Sequence, residues 1–149
     1  MINEVKKNKS IHYKSNSFVT EKEDAANNYF KAYYTRKEMC EIGLNQVRKQ
    51  VESMDRLDQF IVTSALSSGT GSGFTSSVLE RLLVEYNLKV EKNAFFIYPS
   101  QRMSNNIVDV YNAVSATNMT LEHCNSVVMF DLQSMYNVID LQIKDYEEG

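Results

Sequence analysis

The sequence predicts an α/β fold in which a parallel sheet is covered by helices on both faces. Short apolar runs, rich in β-branched and aromatic residues, alternate along the chain with stretches of helical periodicity. Runs of this kind are typical of strands buried on both faces, and their alternation with helices is typical of a parallel sheet. A cluster of glycines separates the first run from the next helical stretch. With 149 residues, the chain is long enough for one domain that buries about 70% of its unfolded surface.

The elements are predicted from these patterns in chain order. Four helices are predicted. The first runs from Thr35 to Met54, with apolar residues at helical spacing (Cys40, Leu44, Val47 and Val51), and the second follows the glycines, with the stripe Val78, Leu79, Leu82, Leu83 and Tyr86. The third runs from about Tyr111 to Leu121 and the fourth from Gln133 to about Tyr146. The predicted strands are residues 58–66, 93–99 and 126–131. Residues 1–17 are lysine-rich with little apolar periodicity, so they are predicted to be a flexible basic leader before a single domain at 18–149.

Composition and charge exclude several classes of function. The chain is 43% hydrophobic and 23% charged, with a net charge of -3 and a pI near 5.4, which favours a globular domain and gives no field that attracts nucleic acid. No apolar run approaches the ~18 residues of a membrane span. Cys40 and Cys124 are the only cysteines, and they are predicted to be free thiols in a reducing compartment, the cytoplasm.

The glycine cluster is the strongest candidate for a binding site. Gly69, Gly71 and Gly73 lie where a predicted strand meets a predicted helix, so orphan N–H groups and the positive end of the helix dipole would meet there. Glycine allows positive φ and leaves no Cβ in front of a phosphate, and Thr70 and Ser72 add hydroxyls. Neither the ATPase P-loop pattern nor the dinucleotide fingerprint is matched. The turn is therefore either an anion-binding loop or simply a tight strand-to-helix connection.

Several separated motifs carry a resemblance to a known family. The stretch "GTGSGFTSSVLERL" resembles the signature loop and following helix of tubulins, and the resemblance continues in "EKEDAANNY" (21–29), "FIYP" (96–99), "VDVYN" (108–112) and "TLEH" (120–123). "EDAANNY" and "LEH" resemble α-tubulin rather than its β partner. The resemblance covers roughly residues 18–140 and implies a partial Rossmann-like three-layer sandwich, the middle of a GTP-binding domain.

The resemblance also implies which residues contact GTP. The loop "DAAN" would face the γ-phosphate, the glycine turn would hold the phosphates, and the loop after Pro99 would lie near the ribose. The residues implied to bind the nucleotide are Ala26, Asn27, Gly69, Thr70, Gly71, Ser72, Ser104, Asn105 and Asp109. No catalytic residue is implied. Taken alone, Asn27 and Asp109 would be interpreted as helix-cap or surface residues.

The sequence departs from the family pattern at several positions. Ser67 and Ser68 stand where tubulins have glycines, and each would be strained by about 1 kcal/mol or more if it needed positive φ. Leu132 replaces an asparagine that resembles a guanine reader, which removes hydrogen-bonding groups from the base pocket. Nothing in residues 1–17 resembles the family's first phosphate loop or its magnesium-holding acid, so Mg²⁺ binding is doubtful. Three strands without their neighbours would also leave an uncovered apolar face.

Three functions remain open. The first is an α-tubulin-like structural constituent of the cytoplasmic microtubule cytoskeleton that binds GTP and pairs with a β-tubulin-like subunit in the lattice. The second is a truncated or degenerate fragment that binds little or no nucleotide and at most contacts tubulin subunits, and it is favoured for the chain in isolation. The third, a dinucleotide-dependent enzyme, shares only the fold class. GTP hydrolysis by this chain alone is not expected, because parts needed for hydrolysis in the family are not recognised in it.

Overall fold

The computed structural model describes residues 13–14, 17–20, 23–86, 89–100 and 106–147, together with the single positions 5 and 7. Its centre is a sheet of three strands in the order β1-β2-β3: β1 Gln59–Ala65, β2 Glu91–Tyr98 and β3 Ser126–Asp131. Both strand pairs are parallel, with Ala65 opposite Ile97 and Tyr98 opposite Asp131. The predicted α/β class with a parallel sheet is confirmed, and β3 has the predicted bounds.

Five α-helices and one π-helical turn are described around this sheet. They are α1 Tyr29–Thr35, α2 Lys37–Glu52, the π turn Thr70–Phe74 continuing into α3 Thr75–Tyr86, α4 Ile107–His123 and α5 Leu132–Glu147. Most of the predicted leader at residues 1–17 lies outside the described residues, so the division of the chain at residue 18 stays a prediction. Among the described residues, no helix is both long and apolar enough to cross a bilayer.

The starts of two helices were not predicted, and at each of them an asparagine side chain caps the helix. The predicted helix from Thr35 to Met54 is α2, and it is preceded by the separate helix α1, which the periodicity did not predict. The Asn28 side chain caps α1 by accepting hydrogen bonds from the amides of Phe30 and Lys31. In the same way the Asn106 side chain accepts from the Val108 amide, so α4 begins at Ile107 rather than near Tyr111.

One face of the sheet carries the core. Ala94 and Phe96 of β2 are 0–1% exposed and pack with Leu79 of α3 and Ala116 of α4. Helix α3 also contributes Leu82 to a second apolar cluster, formed with Cys40 and Leu44 of α2. Helix α3 therefore lies between the sheet and α2. Its Leu79 packs in the cluster on the sheet, and its Leu82 packs in the cluster with α2.

The opposite face of the sheet remains largely open in the described part of the chain. Its apolar side chains are 40–61% exposed: Ile61, Ile97, Val128 and Phe130. Helix α5 reaches this face at its first turn, where Leu132 and Met135 line an apolar cavity with Phe95 and Phe130. Most apolar side chains of α5 are themselves about half exposed, Ile139 at 48% and Val138 at 54%. This face and α5 together form a large exposed apolar surface of the kind that favours association.

Leu79→Ala is expected to lower the free energy of unfolding by about 2–5 kcal/mol, because the substitution leaves a cavity beneath the sheet. The Leu79 side chain is 0% exposed, whereas Val84 on the same helix is 74% exposed. Val84→Ala is the matched control and is expected to change stability by less than about 0.5 kcal/mol. Chemical denaturation followed by circular dichroism measures both, and equal losses would contradict the packing of α3 described above.

The combined substitution Ile97→Thr and Val128→Thr is expected to slow aggregation of the chain, because threonine keeps the β-branched shape of both strand residues while making the open face polar. The control is Val114→Thr, which makes the same kind of change at a more exposed position (66% exposed, against 40% for Ile97 and 42% for Val128) on α4, away from the sheet face. Light scattering over time at fixed concentration measures the rate. An aggregation rate that falls equally in the control would show that the open face is not the cause.

Candidate functional site

The side chain of Asn27 joins three separate segments of the chain. Its Oδ1 accepts a hydrogen bond from the amide of Gly69 at 3.1 Å, and its Nδ2 donates to Asp109 Oδ1 at 2.9 Å. Gly69 begins the glycine turn, and Asp109 lies in the first turn of α4. The structure therefore brings together three of the residues named from the sequence, which are up to 82 positions apart.

The buried side chain of Asn112, on α4, hydrogen-bonds the loop before α1, the start of α1 and the segment that leads into the glycine turn. It is 2% exposed. Its Oδ1 accepts from the Tyr29 amide at 2.9 Å, and its Nδ2 donates to the carbonyls of Ser67 at 2.9 Å and Asn27 at 3.0 Å. Sequence reasoning assigned Asn112 no role, although the spacing offered a signal: residues three apart on a helix share a face, so Asn112 lies beside Asp109.

The backbone of the segment before α1 is in the left-handed region. Ala26 has φ 51° and Asn27 has φ 50°, and no described glycine has positive φ. Asparagine adopts this conformation readily, whereas alanine is strained by roughly 1–2 kcal/mol. The condition under which Ser67 and Ser68 would be strained is not met, because Ala26 and Asn27 are the described non-glycine residues with positive φ. The strain lies instead in the loop at Ala26 and Asn27.

The glycines of the turn are needed for close approach of backbone to backbone. A Cβ on Gly69 would lie 2.4 Å from the Asn28 nitrogen, one on Gly71 2.2 Å from the Ala65 carbonyl oxygen, and one on Gly73 2.1 Å from the Tyr29 carbonyl oxygen. Distances this short are far inside van der Waals contact, so any larger residue would push the turn away from its neighbours. At Gly69 and Gly73 the turn therefore packs directly against the segment that leads into α1, and at Gly71 against the end of β1.

The hydroxyl groups of the turn have different environments. Ser72 is 0% exposed and donates to the Ser68 carbonyl at 2.6 Å, so its hydroxyl points into the protein. Ser68 Oγ accepts from the Gly71 amide at 3.1 Å. Thr70 is exposed, and it lines a cavity with Ala25 and Arg36. Of the two hydroxyls named from the sequence in this turn, Thr70 is the one exposed to solvent. Ser104 and Asn105 lie outside the described residues.

Arg36 places a buried positive charge close to the glycine turn. It lies at the break between α1 and α2, is 5% exposed, and its Nη1 is 4.0 Å from a carboxylate oxygen of Glu23. The cavity that it lines includes Thr70 of the turn and Ala25 of the loop before α1. Sequence reasoning missed this residue because the break between the two helices was itself not predicted.

Leu132 lies in a second, apolar cavity. Leu132 begins α5 directly after β3, at the position where the resemblance implies a guanine reader. It lines a cavity whose other walls include Ile97, Phe130 and Met135. No group of three or more His, Cys, Asp and Glu side chains that could hold a metal occurs among the described residues.

The two cysteines are free and lie outside this site. Burial raises the pKa of the Cys40 thiol and of the Cys124 thiol above the usual value. A raised pKa keeps a thiol protonated at neutral pH, so neither group has the character of an activated nucleophile.

The family match and the similar proteins all point to tubulins. Residues 1–140 match the family described as "Tubulin/FtsZ family, GTPase domain". The chain is 42% identical over 118 residues to a tubulin alpha chain of Dictyostelium purpureum, which covers 78% of the chain and 35% of the relative. It is 39% identical to a tubulin alpha chain of Dictyostelium discoideum over 80% of the chain and 26% of the relative. It is also 39% identical to a nucleomorph tubulin alpha chain of Guillardia theta, over 93% of the chain and 31% of the relative.

The chain thus spans about a quarter to a third of the length of the curated relatives that it matches. All three relatives are α-tubulin chains, in agreement with the motifs that resemble the α rather than the β type. Because the family match extends over nearly the whole chain and the parallel sheet and glycine turn fit it, the chain belongs to the Tubulin/FtsZ family.

Proposed function

We propose that this chain is an α-tubulin-like structural constituent of the cytoplasmic cytoskeleton that binds GTP through the glycine turn. The observation that supports this most directly is the meeting of three segments at Asn27, which hydrogen-bonds both Gly69 and Asp109. In this proposal Gly69, Thr70, Gly71 and Ser72 form the phosphate cradle, Ala26 and Asn27 face the terminal phosphate, and Ser104, Asn105 and Asp109 line the ribose side.

The glycine-turn end has the chemistry that a phosphate needs. Gly69, Gly71 and Gly73 let the backbone of the turn pack directly against Asn28, Ala65 and Tyr29, and this packing fixes the position of the amides that begin the helix. The turn leads directly into α3, whose dipole favours a negative charge at this end. GTP would supply the phosphates and the base, whereas the chain supplies amides, the Thr70 hydroxyl and the Asn27 side chain.

The base end supports the alternative of a fragment with little or no nucleotide binding. Leu132 offers no hydrogen bond, and the cavity around it is lined by apolar side chains. The Gly69 amide is already bonded to Asn27 Oδ1, and the Gly71 amide to Ser68 Oγ. A phosphate would have to replace both contacts. In this second function the chain acts at most as an interaction module for tubulin subunits.

The proposed partners are a β-tubulin-like subunit and the microtubule lattice. The support is the α-tubulin identity of the relatives, of which the chain matches only 26–35% of the length. No catalytic residue is assigned, so hydrolysis of GTP is not part of the proposed role of this chain.

GTP with magnesium is expected to raise the melting temperature of the purified chain. A ligand that binds only the folded state at 100 times its Kd adds about 2.7 kcal/mol, which shifts the midpoint of a domain of this size by several degrees. Circular dichroism melts with GTP, with ATP and without nucleotide measure the shift. An equal shift by ATP would contradict guanine selectivity, and no shift by either nucleotide would favour the fragment without nucleotide binding.

Asn27→Asp is expected to weaken GTP binding at least tenfold. The new carboxylate can still accept from the Gly69 amide, and aspartate tolerates positive φ. It repels the phosphates and also the Asp109 carboxylate, whose Oδ1 lies 2.9 Å from Asn27 Nδ2 in the unsubstituted chain. Asn118→Asp is the charge-matched control, because Asn118 is exposed on α4. Titration calorimetry with GTP measures both variants. A similar loss in the control would mean that net charge alone explains the effect.

A further inference from the structure

The side-chain amide of Asn112 contacts three places at once: Ser67, which lies two residues before the glycine turn, the loop before α1, and the start of α1. Its acceptor bonds the Tyr29 amide, and its donors bond the carbonyls of Ser67 and Asn27. The partners are 45 to 85 positions away in sequence. A side chain that is 2% exposed and uses both ends of its amide in this way holds separate segments at fixed distances from one another.

We propose that Asn112 is a positioning residue that sets the loop before α1 against the glycine turn and thereby determines selectivity for a nucleoside triphosphate over a diphosphate. The inference rests on the proposed function, in which Ala26 and Asn27 face the terminal phosphate. It goes beyond that function, because the buried Asn112 side chain acts through the backbone of Asn27 and Ser67.

The strain in the loop explains why a positioning residue is needed. Ala26 and Asn27 have φ of 51° and 50°, a conformation that alanine avoids in the absence of other constraints. Asn112 holds the carbonyl of Asn27, and the Asn27 side chain then meets Gly69 and Asp109. If Asn112 is removed, the loop can relax, and Asn27 moves away from the outermost phosphate while the glycine turn keeps its own internal contacts, such as Ser72 Oγ to the Ser68 carbonyl.

Other side chains cannot replace this amide. Alanine leaves one amide and two carbonyls without their partner. Aspartate keeps the acceptor for Tyr29 but loses both donors and places a carboxylate against two carbonyl oxygens. Asn112→Ala and Asn112→Asp are therefore two independent variants, and the second keeps the test decisive if the first does not fold.

The experiment compares both variants with the unsubstituted chain and with Thr120→Val. Thr120 is a matched control because it is also 2% exposed on α4, and its hydroxyl donates within the helix to the Thr117 carbonyl. Titration with GTP and with GDP gives the two dissociation constants. We expect the ratio of the GDP constant to the GTP constant to fall at least fivefold in the Asn112 variants, with the GDP constant changed less than threefold, and to stay unchanged in Thr120→Val. Equal losses for both nucleotides would overturn the inference, because a purely structural role weakens both alike.

A second measurement does not need the nucleotide. The Gly69 amide bonds Asn27 and not Asn112, so its hydrogen exchange reports whether Asn112 positions the loop. Exchange at Gly69 is expected to be at least tenfold faster in the Asn112 variants, after correction for global unfolding, and unchanged in Thr120→Val. If the unsubstituted chain binds neither nucleotide, the proposed function fails, and unchanged exchange at Gly69 would then separately overturn the positioning role.

Discussion

The contact on which the candidate site depends is a direct approach of two backbone segments. The glycine turn lies against residues 27–29 so closely that a Cβ on Gly69 or Gly73 would overlap the backbone of Asn28 or Tyr29. Because the two segments touch without intervening side chains, the amides of the turn and the side chain of Asn27 come within hydrogen-bond distance. The position of α1 follows from the same contact, since α1 begins at Tyr29.

Around this contact, the hydrogen bonds of Asn27 and Asn112 offset the backbone strain at Ala26 and Asn27. The left-handed conformation of Ala26 and Asn27 costs energy in an isolated chain. In the folded chain it directs the Asn27 side chain toward Gly69 and Asp109 and its carbonyl toward Asn112. A buried amide such as Asn112 would itself be unfavourable without partners. Each part is therefore tolerated because the others are present, which is typical of a functional loop rather than of a simple connection.

The sequence predicted the strands well, because short apolar runs bounded by polar or glycine residues are a local signal. Helix α1 was missed since a helix of 7 residues is too short to show a clear periodicity. Glycine allows positive φ, but the glycines of the turn do not adopt it. They are needed instead for a close approach of two backbone segments, such as that of Gly69 to Asn28, which only the three-dimensional structure shows. Asn112 was missed for the same reason, because its partners are far away in sequence. The family resemblance, in contrast, named Asn27, Gly69 and Asp109, which the structure brings together.

Helix α4 links the site to the core of the sheet. Asp109, Asn112, Ala113 and Ala116 follow the spacing i, i+3, i+4, i+7 and so lie on one face of the helix. The first two belong to the network around Asn27, whereas Ala113 and Ala116 pack in the apolar cluster beneath the sheet. A shift of α4 that relaxes the network would therefore also disturb the packing of Ala116 against the sheet. The packing of α4 on the covered face of the sheet therefore supports the geometry of the glycine turn. The open face, around Ile97 and Phe130, is separate from the turn and offers apolar contacts.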